Sequence, residues 1–285
     1  MTILAFGKTG QVGRELGRLA GVTCLGRDRA DLSDPAACAA VIRAMRPRAV
    51  INAAAWTDVD GAEAEQARAR TINAEAPAAM AAQCAALGIP FVTISTDYVF
   101  DGSGETPWRP DDTPAPINAY GRTKLAGERA VAGAGGAWAV LRTSWVFSPH
   151  GRNFVTTMLQ LGRSRGALDV VADQVGGPTP ADAIARACLN IAEMLCTEPE
   201  KSGIYHFSGS PDIDWAGFAR EIFAQAGLGC TVRDIATDEW PTPAARPRNS
   251  RLDCSRTGTV FDLKRPDWRA SLHEILNEPG GAEDA

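Results

Sequence analysis

An apolar run, Ile3 to Phe6, leads directly into Gly7-Lys8-Thr9-Gly10-Gln11-Val12-Gly13, a GxxGxxG that opens a helical stretch. Few folds need that sequence. Without β-carbons the backbone can turn tightly at a strand end and come close to a pyrophosphate, whose charge free amides and the helix N-terminus then stabilise. Gly7, Thr9, Gly10, Gln11, Val12 and Gly13 are therefore candidate dinucleotide contacts. A glycine triplet alone also fits a plain strand-to-helix turn, so the surrounding pattern has to decide.

That pattern is an alternation of short Val/Ile/Leu-rich runs with longer Ala-rich helical stretches, the signature of βαβ units around a parallel sheet. Strands are expected near Ile3–Phe6, Thr23–Leu25, Ala49–Asn52, Phe91–Ser95 and Ala139–Arg142, with helices near Gln11–Ala20, Pro35–Met45, Asn73–Leu87 and Ala119–Val131. After Trp145 the rhythm loosens. Helices are expected near Asn153–Arg163, Pro180–Cys196, Asp214–Ala226 and Asp267–Asn277, strands near Leu168–Val171 and Ile204–Phe207, an irregular Pro241–Asp253, and a frayed tail over Glu278–Ala285. The fold class expected is α/β: a Rossmann-type, doubly wound parallel sheet over residues 1–147, and a smaller mixed substrate domain over 148–285 that partly returns to the first.

Three further places carry chemistry. After the second strand comes Gly26-Arg27-Asp28, where NAD-preferring folds place an acid on the ribose; Arg27 suits the 2′-phosphate of NADP, while Asp28 suits the ribose or solvent. The reading favours NADPH over NADH. Asp31 and Leu32 would then lie beside the adenine, and Ala53, Ala54 and Ala55 after the third strand would let the backbone approach the cofactor; a helix cap and an alanine core filler are the bland alternatives.

Tyr120 and Lys124 form a YxxxK at a helix start, so both side chains leave one face. An ammonium beside a phenol favours phenolate and is expected to lower the tyrosine pKa. Lys124 can also hold the nicotinamide ribose. Ser95-Thr96-Asp97-Tyr98-Val99-Phe100 ends the fourth strand, on the sheet edge where such folds keep their ligands, and the Thr96 hydroxyl can complete a carbonyl-binding pair with Tyr120.

The stretches FGKTGQVG, NAAAWTDVDGAE, STDYVFDG, YGRTKLAGE, RTSWVF, DQVGGPT and RPRNSRL, in this order across most of the chain, resemble the signature blocks of the dTDP-4-dehydrorhamnose reductases, within the extended short-chain dehydrogenase/reductase superfamily. The resemblance implies NAD(P)H-dependent reduction of a 4-keto nucleotide sugar bound between two domains. It implies Thr96, Tyr120 and Lys124 as the catalytic set, and Thr96, Asp97, Trp145, Arg246, Asn249 and Arg251 as substrate contacts. The segments 174–179 and 249–251 correspond to blocks near the substrate, and the guanidinium groups of Arg246, Arg248 and Arg251 suit a diphosphate. Some members are homodimers with interfacial magnesium; no residues here match a motif for that metal, and none is assigned.

A net charge of −5 supplies no field for a polyanion, so no nucleic-acid partner is expected. Seven scattered cysteines never spaced CxxC and only three histidines argue against a disulfide framework and a His-rich metal site. The opening apolar run is too short for a signal peptide, and no stretch approaches membrane-spanning length, so the protein is expected to be cytoplasmic. Two other readings remain: a non-catalytic subunit like the regulatory β subunit of methionine adenosyltransferase, and a reductase or epimerase of another nucleotide sugar.

Overall fold

The computed structural model describes residues 2–277; the tail expectation over 278–285 lies outside them. Strands β1 (Ile3–Phe6), β2 (Val22–Leu25), β3 (Ala49–Asn52), β4 (Phe91–Thr96) and β5 (Trp138–Thr143) are separated by α1 (Gln11–Leu16), α2 (Pro35–Met45), α3 (Val59–Ala64), α4 (Gln66–Arg70), α5 (Ala76–Leu87) and α6 (Ala119–Gly133). Then follow β6 (Val146–Phe147), α7 (Phe154–Ser164), β7 (Ala167–Val171), β8 (Val175–Gly176), β9 (Thr179–Pro180), α8 (Ala181–Leu195) and β10 (Gly203–His206). The chain closes with β11 (Ile213–Asp214), α9 (Trp215–Gln225), β12 (Thr231–Ile235), β13 (Asn249–Ser250), α10 (Ser255–Phe261) and α11 (Trp268–Asn277).

Six parallel strands form the central sheet in the order β2-β1-β3-β4-β5-β10. Both faces are buried, which is why these strands are apolar at successive positions instead of alternating with polar ones. Ile3, Ala5, Ile51, Val92 and Leu141 meet Ile184, Cys188 and Ile191 of α8 on one face. Leu4, Phe6, Val50, Phe91 and Val140 meet Ile42 of α2 and Met80 of α5 on the other. Each of the Val, Leu, Ile, Phe and Met side chains among them contributes about 1.5–3 kcal/mol by leaving water. The expected Rossmann-type sheet is therefore present, and α8 and β10, beyond residue 147, belong to it.

The strand order reverses between β1 and β3, the switch point outside whose carboxyl ends such sheets bind ligands. A second body packs α7, α9 and α11 on the parallel pair β7–β12 through Leu168, Val232, Phe218, Phe223, Trp268 and Leu272. Between the two bodies, β8 pairs with β11 and β13, so the 174–179 and 249–251 segments meet in one small sheet.

Strand β13 lies within the segment 241–253 that was expected to be irregular, and two of the expected helices have other bounds. The first helix stops at Leu16, because the amides of Arg18 and Leu19 bond three residues back to Glu15 and Leu16 and tighten the chain into turns. Asn73 was expected to start a regular helix; it lies instead in a π-turn, Thr71–Glu75, between α4 and α5. Among the described residues no helix is long and apolar enough to cross a membrane.

Candidate active site

A cavity of about 840 Å³ opens along the carboxyl edge of the sheet, within the range of small-molecule and cofactor sites. Gly7, Thr9, Gly10, Gln11 and Val12 line it beside Ala53, Ala54 and Ala55, and Arg27, Asp31 and Leu32 border it after β2. Gly7 adopts φ +103°, and a β-carbon there would stand 2.9 Å from the backbone of Ala53 and Ala54. A β-carbon on Gly13 would lie 1.8 Å from the Gly7 carbonyl, so Gly13 serves the packing of the loop and does not face the cavity. This cradle fits a dinucleotide: backbone amides open α1 beside a groove that no side chain fills. Lys8, in the middle of the loop, is a cavity residue that the sequence reading passed over.

The proton chemistry is placed by α6. Asn118 caps the helix by accepting from the Gly121 amide at 2.8 Å, and Glu63 accepts from the Ala119 amide at 2.7 Å, which fixes the turn that carries Tyr120. The absent β-carbon of Gly121 would meet the Tyr98 carbonyl at 2.1 Å, so only glycine lets the helix sit this close to the end of β4. Thr96, Tyr120 and Lys124 consequently line the same cavity as the glycine loop. The Tyr120 ring packs edge-on against Tyr98, with centroids 5.7 Å apart.

Burial pushes the Tyr120 phenol well above its ordinary value; the Thr96 hydroxyl opposes this and the Asp97 carboxylate adds to it. The expected lowering by Lys124 is absent, for a geometric reason. The Lys124 ammonium donates to the Ile94 carbonyl at 2.8 Å, and its own pKa is lowered by burial to about 8, with Glu128 acting the other way. Thr96 donates to Asp97 at 3.1 Å, and burial raises the Asp97 carboxyl to about 6 against hydrogen bonds from Ser250 and Thr96. Among the described residues Asp97 Oδ2 and Thr143 Oγ1 are buried without a hydrogen-bond partner; both residues border the cavity, and these atoms suit an incoming polar ligand.

The second body supplies the far wall. Trp145 holds the left-handed φ of +49°, a strained backbone for a bulky residue, and stacks on Trp215 of α9 with centroids 3.5 Å apart. Trp215, His150 and Arg152 also line the cavity, and nothing in their local sequence marks them. Ser148 donates to Gln11 at 2.8 Å, which ties this wall to the glycine loop.

Arg246, Asn249 and Arg251 do not border the cavity. Arg246 is bonded to Asp60 at 2.8 Å, Asn249 donates to the Thr106 carbonyl at 2.8 Å, and Arg251 donates to Asn249 and to the Glu105 carbonyl at 3.0 and 3.1 Å. Arg248 lies near Asp173 and Asp238. Among the described residues no group of three or more His, Cys, Asp or Glu is placed to hold a metal ion.

A family model described as the RmlD substrate-binding domain matches residues 1–280. The dTDP-4-dehydrorhamnose reductase of Sinorhizobium fredii is 40% identical over 286 residues, covering 97% of each chain, and that of Escherichia coli K12 is 39% identical over 292 residues, covering 98% of each. Among solved structures, a dTDP-4-dehydrorhamnose reductase of Clostridium acetobutylicum superposes with a TM-score of 0.91 at 36% identity, covering 97% of this chain and 99% of its own. One of Bacillus anthracis, solved in complex with NADP, gives 0.90 at 32% identity, covering 98% and 100%.

Proposed function

The chain belongs to the RmlD substrate-binding family, together with the dTDP-4-dehydrorhamnose reductases, and on that premise we propose that it reduces the C4 keto group of dTDP-6-deoxy-L-lyxo-4-hexulose to give dTDP-L-rhamnose. The observation that carries the reading is the convergence of Thr96, Tyr120 and Lys124 on the cavity floored by the glycine loop. A reduced nicotinamide nucleotide, when bound, supplies the hydride. Thr96 orients the sugar carbonyl, Tyr120 gives its proton to the C4 oxygen, and Lys124 holds positive charge beside both. Asp97 and Trp145 hold the sugar, Trp145 through its ring face. The relatives named as reductases, 40% and 39% identical over nearly the whole chain, favour this reading over the non-catalytic subunit. The direct test supplies the keto sugar with NADPH or NADH and follows loss of reduced-nicotinamide absorbance together with the sugar product; no turnover with either cofactor would refute the reading.

We take NADPH as the preferred cofactor because Arg27 stands at the end of β2 on the cavity rim, 80% exposed and 4.0 Å from Asp31, free to turn to a 2′-phosphate. Arg27→Ala is expected to raise the NADPH Michaelis constant roughly tenfold, the scale of one charge-assisted contact, and to move the NADH constant little. Equal shifts for both cofactors would remove Arg27 from cofactor selection.

Arg246, Asn249 and Arg251 act in this reading at the nucleotide end, by holding the 244–252 segment against the Rossmann body. Asp60, which binds both Arg246 and the Ala244 amide, is the anchor on the other side. Arg251→Ala frees that segment and is expected to weaken dTDP binding about tenfold while NADPH binding stays intact. Calorimetry that found dTDP affinity unchanged would count against it.

A further inference from the structure

One turn beyond Lys124 on α6, Glu128 lies 3% exposed under the sheet edge. Arg142 of β5, itself 1% exposed, grips it with two parallel bonds, Nε to Oε1 at 2.9 Å and Nη2 to Oε2 at 2.7 Å. Ser95 donates to Oε1 at 2.5 Å. The row continues across the sheet: Ser95 is in register with Arg142, and Arg142 with His206 of β10. Burial first, then the Arg142 charge, holds His206 down at about 3, so its ring is neutral; Nδ1 donates to the Trp108 carbonyl and Nε2 accepts from Arg142 Nη1 at 3.3 Å. The same guanidinium sits over the Phe100 ring at 5.0 Å.

A buried ion pair of this kind contributes little net stability, because the cost of taking two charges out of water consumes most of their attraction. Packing therefore does not explain why a charged pair stands in a layer where Leu and Met would serve. Its position does. The row lies one residue below Thr96 and Thr143 in the strands and one turn below Lys124 in the helix. Glu128, four residues on along α6, is the charged group that opposes the effect of burial on the Lys124 ammonium; the groups that face Glu128 from the sheet are Ser95 of β4 and Arg142 of β5, with His206 of β10 beyond Arg142.

We propose that Glu128, clamped by Arg142 and Ser95, is a positioning residue of the reductase: its carboxylate keeps Lys124 in the ammonium form and pins the catalytic turn of α6 to the sheet edge. The inference rests on the functional reading above and deepens it by adding a group that touches neither sugar nor cofactor. Arg142 keeps the carboxylate from swinging away, and Ser95 fixes the oxygen that both donors share.

The chain contains four lysines, Lys8, Lys124, Lys201 and Lys264, so carbon-13 labelling of lysine gives four side-chain signals, with Lys124 assigned by its loss in Lys124→Arg. In the unaltered protein the Lys124 signal should titrate near 8. In Glu128→Gln the midpoint should fall by about one pH unit or more, the scale of losing one close opposite charge, and the alkaline limb of the pH–rate profile should move down with it. Glu128→Asp should restore part of both shifts. A purely structural role would change the melting temperature without moving either midpoint. If the single variant does not fold, Glu128→Gln/Arg142→Met removes both members of the ion pair and takes the same two measurements. A folded variant lacking the carboxylate, with Lys124 titrating as before, overturns the proposal. An unaltered protein that titrates as described yet does not reduce the keto sugar overturns the functional reading instead, so the two failures are distinguishable.

Discussion

Tyr120→Phe is expected to lower the turnover number for the keto sugar by about two to four orders of magnitude, the range that general acid catalysis contributes. The substitution removes one oxygen. The edge-on contact with Tyr98 needs only the ring, and the caps at Asn118 and Glu63 act on backbone amides, so α6 should keep its place. Burial and the Asp97 charge hold the phenol above its ordinary value, so Tyr120 keeps its proton throughout the neutral range and gives it up only to a stronger base. The oxygen forming at C4 of the sugar is such a base. Single-turnover kinetics should therefore show the loss in the chemical step, while the NADPH dissociation constant, read by fluorescence, stays within about twofold. Near-normal turnover in a folded Tyr120→Phe would mean that the proton comes from elsewhere.

The sheet, and the meeting of Thr96, Tyr120 and Lys124 with the glycine loop in one cavity, were legible because short-range rules govern them. The GxxGxxG loop, the YxxxK spacing and the doubly apolar strands each show within a few residues, through the close approach of Gly13 to Gly7, the helix geometry between Tyr120 and Lys124, and burial on two faces. What escaped the sequence depends on contacts between distant segments. Trp215, His150 and Arg152 reach the cavity only because the second body folds back over α1, and their neighbours give no local sign of it. The helices α3 and α4 lie in a run rich in Asp, Glu and Arg where no element was expected; Asp58 as a cap and the Asn73 bonds to the Trp56 backbone at 2.8 and 3.1 Å order it. The arginines of RPRNSRL show the converse. Their residue type suggests a phosphate, but where a guanidinium points is set by its partner, and Asp60, 186 positions away, takes Arg246.

Lys124→Met is expected to cost both cofactor affinity and rate, because the ammonium serves both in the proposed site. The methionine stem fills nearly the same volume but leaves the Ile94 carbonyl without its donor and removes the buried ammonium. NADPH binding should weaken at least about tenfold, and turnover should fall by roughly two orders of magnitude or more. The pH dependence separates this from general damage. Burial lowers the folded-state pKa of Lys124 from 10.5 to about 8, so the unaltered enzyme should lose activity as pH rises through about 8 and the ammonium is deprotonated. The sign for stability is opposite: below 8 the fold bears the full cost of a buried charge, and between 8 and 10.5 the unfolded chain binds the extra proton, so this group makes the protein more stable as pH rises there. Activity and melting temperature should thus diverge in the unaltered enzyme over that window, and Lys124→Met should lack both the alkaline limb and its share of the stability rise. An alkaline limb that persists in Lys124→Met would assign the titrating group to another residue.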